Sequence, residues 1–228
     1  MNKDKELHRC ERFDLISFDV FDTLVERQVC LPTDVFYVVG LKYFNDEKIA
    51  QRFKEDRIAA EYIARKNSKT GEIFFDDIYN ELKKILTYAN VTDELKQLEL
   101  NIELNLSRPR KCIIDLCNEL FEKGKKVVLI SDMYLTSDFL HKMMEKCGVN
   151  TAISLFISCE CGVNKISGKL FEYVDSVVNV KPEKHLHYGD SYKADFCGAK
   201  RVGVIPRFVL KGNLLSRIVR GLYARVRS

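Results

Sequence analysis

Apolar residues along this chain follow two different periods, and the change between them divides the chain into segments. Residues 13–18, Phe-Asp-Leu-Ile-Ser-Phe, are a short, largely apolar run that reads as a first strand. From about Gln28 to Ser107 there is no strand-like alternation. Instead, residues 34–44, 46–66, 76–88 and 93–106 repeat apolar side chains every three to four positions, which predicts four helices. Asp stands near several of their starts, where a side-chain oxygen can accept from the unpaired amides of a first turn. Pro109 restarts the chain, residues 112–121 predict a helix closed by Gly124, and 126–130 predict a strand. Strand and helix then alternate: helix 136–146 ending at Gly148, strand 153–157, helix 169–178, strand 184–188, helix 192–201 and strand 202–205. Such alternation predicts right-handed crossovers and a parallel sheet covered on both faces, with an all-helical insert. No internal repeat or low-complexity segment interrupts the pattern.

The predicted strands end in polar residues. Asp19 ends the first, in Leu15-Ile16-Ser17-Phe18-Asp19-Val20-Phe21-Asp22-Thr23-Leu24, and Ser131 with Asp132 follows Val127-Val128-Leu129-Ile130. Lys165 lies in the stretch after strand 153–157, and Gly189-Asp190, with Asp195, follows strand 184–188. The carboxyl ends of parallel strands converge on one crevice, so this ordered series predicts one shared site, fit to hold a phosphate and a divalent metal.

Composition narrows the setting. A chain of 228 residues with 46% hydrophobic content can bury an ordinary core. No apolar stretch approaches the ~20 residues of a membrane-spanning helix. The start, Met1-Asn2-Lys3-Asp4-Lys5-Glu6, has no apolar secretory segment, so a cytoplasmic protein is expected. Eight scattered cysteines without Cys-x-x-Cys spacing fit reduced core thiols better than disulfides or zinc. Lys211, Arg217, Arg220, Arg225 and Arg227 stand in residues 211–228 without an acid, which leaves residues 1–210 at −1 within the net +4. A near-neutral body argues against nucleic acid as the main partner. Leu214, Leu215, Ile218, Val219, Leu222, Tyr223 and Val226 fall at helical spacing in the same segment. They predict a basic amphipathic helix that docks on the core or a partner domain, or lies on a membrane surface.

Order and spacing of the strand-end residues resemble the haloacid dehalogenase (HAD) superfamily, mostly Mg-dependent phosphohydrolases that form a phosphoaspartyl intermediate. Asp19 to Leu24 is similar to the first motif, Ser131 to the second, Lys165 to the third, and Gly189-Asp190-Ser191-Tyr192-Lys193-Ala194-Asp195 to the fourth. Lys165 stands six residues before Phe171, as in the family's Lys-Pro-x-x-x-x-Phe run, with Ile166 in place of the Pro. Ser17 to Leu24 and Ser131-Asp132-Met133-Tyr134-Leu135 look like a bacterial subgroup often associated with cell-surface glycan synthesis. The resemblance runs from Phe13 to about Pro206. It implies an α/β fold: a Rossmann-like parallel-sheet core (HAD-like fold) at 1–27 and 108–210, with an inserted all-helical cap domain of the C1 type at 28–107. The segment 211–228 follows the core.

The same resemblance implies roles. Asp19 would be the nucleophile, and Mg2+ would be held by Asp19, Asp190, the main-chain carbonyl of Phe21, and Asp195 directly or through water. Ser131, the Asp132 amide, Lys165 and Thr23 would surround the phosphate, Thr23 also steadying the loop after the nucleophile. Read singly, a strand-end Asp caps a turn about as readily as it attacks phosphorus, Asp190 could begin the next helix, and a lone Lys is usually solvated. Lys169 competes with Lys165. Four motifs in order favour the functional reading over these.

Phe21 departs from the phosphatase pattern, which has a second Asp there to protonate the leaving oxygen. General acid catalysis contributes about 10²- to 10⁴-fold, or about 3–5 kcal/mol of barrier. Asp22 is the candidate replacement; the alternative is a turn residue hydrogen-bonded to its own backbone. Dehalogenases of the superfamily also carry an aromatic residue at this position, but they work without metal and lack the Gly-Asp that this chain retains. The expected function is hydrolysis of a small phosphorylated metabolite, such as a sugar phosphate. The rivals are a catalytically weak or inactive module binding a phosphorylated ligand or a partner, and a phosphonatase-like reaction that would need a cap lysine such as Lys54 or Lys66. His185 and His187 read as packing or edge residues of a strand, His8 and His141 as surface.

Overall fold

The computed structural model describes residues 2–210, so the helix expected at 211–228 lies outside the described residues. Along the chain come α1 (Lys3–Cys10), β1 (Leu15–Phe18), β2 (Val25–Arg27), α2 (Asp34–Phe44), α3 (Glu47–Asn67), α4 (Phe75–Ile85) and α5 (Asp93–Leu106). They are followed by β3 (Ser107–Pro109), α6 (Lys111–Glu122), β4 (Lys126–Ser131), α7 (Ser137–Lys146), β5 (Ser154–Ile157), α8 (Ser158–Cys161) and α9 (Lys169–Val178). Last come β6 (His185–Gly189), a π-helical segment (Tyr192–Gly198) running into α10 (Ala199–Arg201), and β7 (Ile205–Phe208). These elements fall into two compact units, residues 2–26 with 108–210 and residues 27–107.

The first unit is α/β. Its five-stranded sheet has the order β5-β4-β1-β6-β7, and every pairing is parallel. Each residue of β1 is buried, as expected of a central strand covered on both faces. Leu15, Val128 and Ile130 pack with Leu170, Phe171 and Val174 of α9 in a core cluster that also takes in Ala199 and Val204. Phe18 sits in register with Leu129 on one side and Tyr188 on the other, stacking on the Tyr188 ring at 4.9 Å. The apolar runs at 13–18, 126–130, 153–157 and 184–188 are therefore four strands of one sheet, the third of them at its edge.

Several short elements, β2, β3 and α8 among them, have no counterpart in the expected pattern, and two differences stand at the ends of the α/β unit. The last strand lies at Ile205–Phe208 and not at 202–205, because Gly203 adopts φ +87° and closes the preceding helical turn. Val204 is buried ahead of the strand, so the apolar run marked burial and not extended pairing. The helix α1 was not expected, since its sequence is polar and only Glu6 and Cys10 are buried. It is fastened by the Glu6 carboxylate, which accepts from Tyr188 Oη at 2.9 Å and Arg207 Nη2 at 2.6 Å.

The second unit contains α2 to α5. Asp46 caps α3 by accepting from the Ile49 amide at 2.8 Å, Thr92 caps α5, and the Asp77 carboxylate reaches back to the Phe74 amide at 2.8 Å. At its centre Arg57 of α3 is fully buried, bound by Glu99 of α5 at 2.7 Å. The guanidinium lies over the Phe36 ring at 4.4 Å, and Tyr79 Oη donates to Glu99 at 2.9 Å. Among the described residues no helix is long and apolar enough to cross a membrane.

Candidate active site

Parallel pairing brings the polar strand ends to one edge of the sheet. The Asp19 amide, one residue past β1, donates to the Tyr188 carbonyl of β6 at 2.8 Å. Asp190 leaves the end of β6 and Ser131 is the last residue of β4, the strand on the other side of β1. Lys165 comes from the loop between α8 and α9, and both Asp132 carboxylate oxygens accept its amide, at 2.9 and 3.1 Å. That anchorage turns the side chain inward. Lys165 Nζ reaches Asp19 Oδ1 at 2.5 Å and Asp195 Oδ1 at 2.6 Å, and only 2% of the residue is exposed.

Close packing here depends on two glycines. A Cβ on Gly189 would lie 2.3 Å from Asp195 Cγ, and one on Gly198 would lie 2.0 Å from the Lys165 carbonyl oxygen. The π-helical segment carrying Asp195 can thus press against both the β6 end and the Lys165 loop. Such segments cluster at functional sites.

One ammonium serves two carboxylates, and burial weighs on all three groups. Burial acts to raise Asp195, but the Lys165 charge and the His187 hydrogen bond outweigh it and hold its carboxyl below the ordinary range. Burial pushes Asp19 well above that range, with Asp195 and Asp190 adding to the rise and Lys165 opposing it. Burial works against the Lys165 charge, yet Asp19, Asp195 and Asp132 together raise its pKa. Lys165 is thus ion-paired to both carboxylates, and its single charge is shared among buried acids.

No family model matches the sequence, and none of the curated proteins matches it. Solved structures do. A HAD family enzyme, bt-2542 from Bacteroides thetaiotaomicron, aligns with a TM-score of 0.62 at 16% identity, over 91% of this chain and 98% of its own. YfnB from Bacillus subtilis, a HAD-hydrolase solved with magnesium, gives 0.62 at 19% identity over 87% and 89%. A 2-haloacid dehalogenase from Pseudomonas syringae pv. tomato DC3000 gives 0.59 at 15% identity over 93% and 99%. The chain has the haloacid dehalogenase fold. Since that fold carries both hydrolases and dehalogenases, the chemistry has to be read from side chains.

On this haloacid dehalogenase core Asp19, Asp190 and Asp195 present carboxylate oxygens all within 4.8 Å of one another, and all three residues are buried. Three carboxylates against one ammonium carry a formal −2, which a hard divalent cation with oxygen ligands neutralises. The donor set therefore fits a hard divalent cation such as Mg2+, which the carboxylates of Asp19, Asp190 and Asp195 could hold. Thr23, expected at the phosphate, is fully buried and donates its hydroxyl to Asp190 Oδ1 at 3.4 Å. Asp132 contributes its carboxylate to the Lys165 loop, a role its amide alone did not suggest. Lys169 is exposed at the start of α9, so of the two candidate lysines Lys165 is the buried one. Asp22 adopts φ +61°, tolerated by Asp, and sits in the turn between Phe21 and Val25. Its amide donates to the Val25 carbonyl at 2.6 Å, and Arg110 donates to its own carbonyl. In the helical unit Lys54 is ion-paired to Asp34 at 2.6 Å.

His185 and His187 are packed interior residues, edge-on to the Phe171 ring, and not edge residues of the sheet. β6 is an interior strand and both imidazoles are fully buried and hydrogen-bonded, His187 Nε2 to Asp195 Oδ1 at 3.1 Å. Burial lowers His187 to about 4, so it is neutral at pH 7. The signal was present in the sequence: His187 precedes Gly189 by two, in phase with it, and Ser17 precedes Asp19 by two on the adjacent strand.

Proposed function

We propose that this protein is a Mg-dependent phosphohydrolase of the haloacid dehalogenase superfamily, acting on a small phosphorylated metabolite, a sugar phosphate for example, through an aspartyl-phosphate on Asp19. The observation that carries this reading is the buried triad of Asp19, Asp190 and Asp195 around Lys165. A metal-free dehalogenase has no use for Asp190 beside its nucleophile. The Bacteroides protein with this fold has itself been solved with magnesium and inorganic phosphate, which supports the reading.

An Asp19 oxygen would attack phosphorus as the bond from phosphorus to the substrate's alcohol oxygen breaks, and the departing oxygen takes up a proton. Water then attacks the phosphorus of the acyl phosphate, releasing inorganic phosphate and restoring the carboxylate. Lys165 and the Ser131 hydroxyl, with the Asp132 amide, would stabilise the phosphoryl oxygens. Bound magnesium would offset the repulsion between anionic nucleophile and anionic phosphate. The helical unit is the proposed cap, where substrate is chosen, and residues 211–228 the proposed contact for a partner domain or membrane surface. A cytoplasmic setting and a small-molecule substrate, not nucleic acid, belong to the same proposal.

Hydrolysis of p-nitrophenyl phosphate with and without Mg2+ tests it, because that leaving group needs little protonation. Turnover should require Mg2+ and vanish in Asp19→Asn. Phe21 at the acid position favours a second reading, a phosphate-binding module of little activity. Folded protein that binds phosphate but leaves the ester intact in Mg2+ would establish that second reading.

A further inference from the structure

Behind Asp195 a line of buried polar groups runs through the sheet. His187 Nε2 meets Asp195 Oδ1 at 3.1 Å, His187 Nδ1 meets Ser17 Oγ at 2.7 Å, Ser17 Oγ meets His185 Nε2 at 2.6 Å, and His185 Nδ1 meets Asp175 Oδ1 at 2.6 Å. Ser17 and both histidines are fully buried, and Asp175 is 5% exposed. Ser17 is the cross-strand partner of His187 in the β1–β6 register, and Asp175 projects from α9. The other Asp175 oxygen, Oδ2, is buried and has no hydrogen-bond partner among the described residues, where the side chain is anchored through the line. A buried carboxyl held that way is costly unless the line it completes is needed.

Counting protons gives the line a direction. Its four contacts each need one hydrogen, while a serine hydroxyl and two neutral imidazoles bring three. One surplus proton must reside in the line. Asp195 Oδ1 already accepts from the Lys165 ammonium at 2.6 Å, so it acts as an acceptor and His187 Nε2 donates. A second positive charge on His187 would crowd Lys165 at that same oxygen, and like charges disfavour each other. Neutral His187 then accepts from Ser17, Ser17 accepts from His185, and the surplus proton is left between His185 and Asp175.

We infer that Asp175, His185, Ser17 and His187 are positioning residues, a buried file of hydrogen bonds that fixes the Asp195 carboxylate and keeps the surplus proton at the end remote from Lys165. Outer groups that orient a metal-binding carboxylate typically change metal affinity about 10- to 100-fold when removed. The effect on magnesium rests on the proposed function; the direction of the file does not.

Two measurements test this on the full chain. Nitrogen-15 NMR of histidine-labelled, metal-free protein should show His187 protonated at Nε2 and bare at Nδ1. The opposite tautomer, or a doubly protonated His187, overturns the file. Calorimetric titration with Mg2+ alone should show binding weakened about 10- to 100-fold in Ser17→Ala, and an unchanged affinity overturns the positioning role. If the wild-type protein takes up no magnesium, the proposed function fails, and the metal-free spectrum alone upholds or overturns the file.

Discussion

Phe21 stands two residues after Asp19, half-buried, where a carboxyl group would hand its proton to the leaving oxygen. The neighbouring Asp22 has its backbone committed to a turn, by its own amide and by Arg110 on its carbonyl. Phe21→Asp should therefore speed cleavage of an alkyl phosphate by about 10²- to 10⁴-fold while changing p-nitrophenyl phosphate far less. Equal gains on both esters would show that leaving-group protonation is not what Phe21 lacks. His187 makes a separate prediction. Buried neutral with its pKa at about 4, it remains unprotonated in the native state where an unfolded histidine, near 6.5, has already charged. Its stabilisation is present above pH 6.5 and is lost as pH falls towards 4. The loss amounts to about 3 kcal/mol. Urea unfolding at about pH 7 and about pH 4.5 should show a shallower acid loss in His187→Gln than in wild type.

The helices of residues 27–107 were legible from apolar spacing, but what joins them at the centre was not. Arg57 and Glu99 look like solvated charges in the sequence, yet they meet between α3 and α5 with at most 4% of either side chain exposed. Removing Glu99 takes the two-oxygen carboxylate from a buried guanidinium whose contact with Glu61 is 3.5 Å long, so Glu99→Ala should cost about 3–5 kcal/mol in denaturant unfolding, and Arg57→Met with Glu99→Leu together much less. In the α/β unit the π-helical segment shows the same division. Residues 192–201 read as a helix by pattern, whereas its π-helical form and the contact of Gly198 with the Lys165 carbonyl depend on a loop some 30 residues away. For α1 there was little to read, because a short polar helix held by one buried Glu6 leaves no apolar stripe.

Metal should stabilise the whole chain. Three carboxylates converge on one ammonium, and burial holds Asp19 well above the usual carboxylate range, so the metal-free site carries unrelieved repulsion. Magnesium at about 100 times its Kd should add about 2.7 kcal/mol, or roughly 5–10 °C in Tm for a chain of this size. Asp190→Asn should lose most of that rise in thermal unfolding. A rise of the same size in Asp190→Asn would place the cation elsewhere.

Local pattern marked the helices of residues 34–106, four of the five sheet strands and the polar residues at their ends, because periodicity records the face a residue buries and strand ends expose backbone to a shared crevice. Asp19, Ser131 and Asp190 stand at or just past strand ends as that pattern expects, whereas Lys165 comes from a loop and Asp195 from the π-helical segment. Partnership was decided in three dimensions. Ser17, Asp175 and His187 are up to 170 residues apart, and they meet because β1 lies between β4 and β6 and α9 packs over it. Strand order is a property of packing, not of sequence order, so the hydrogen bonds and charge sharing that tune Asp19 and Asp195 come into being only when the sheet closes.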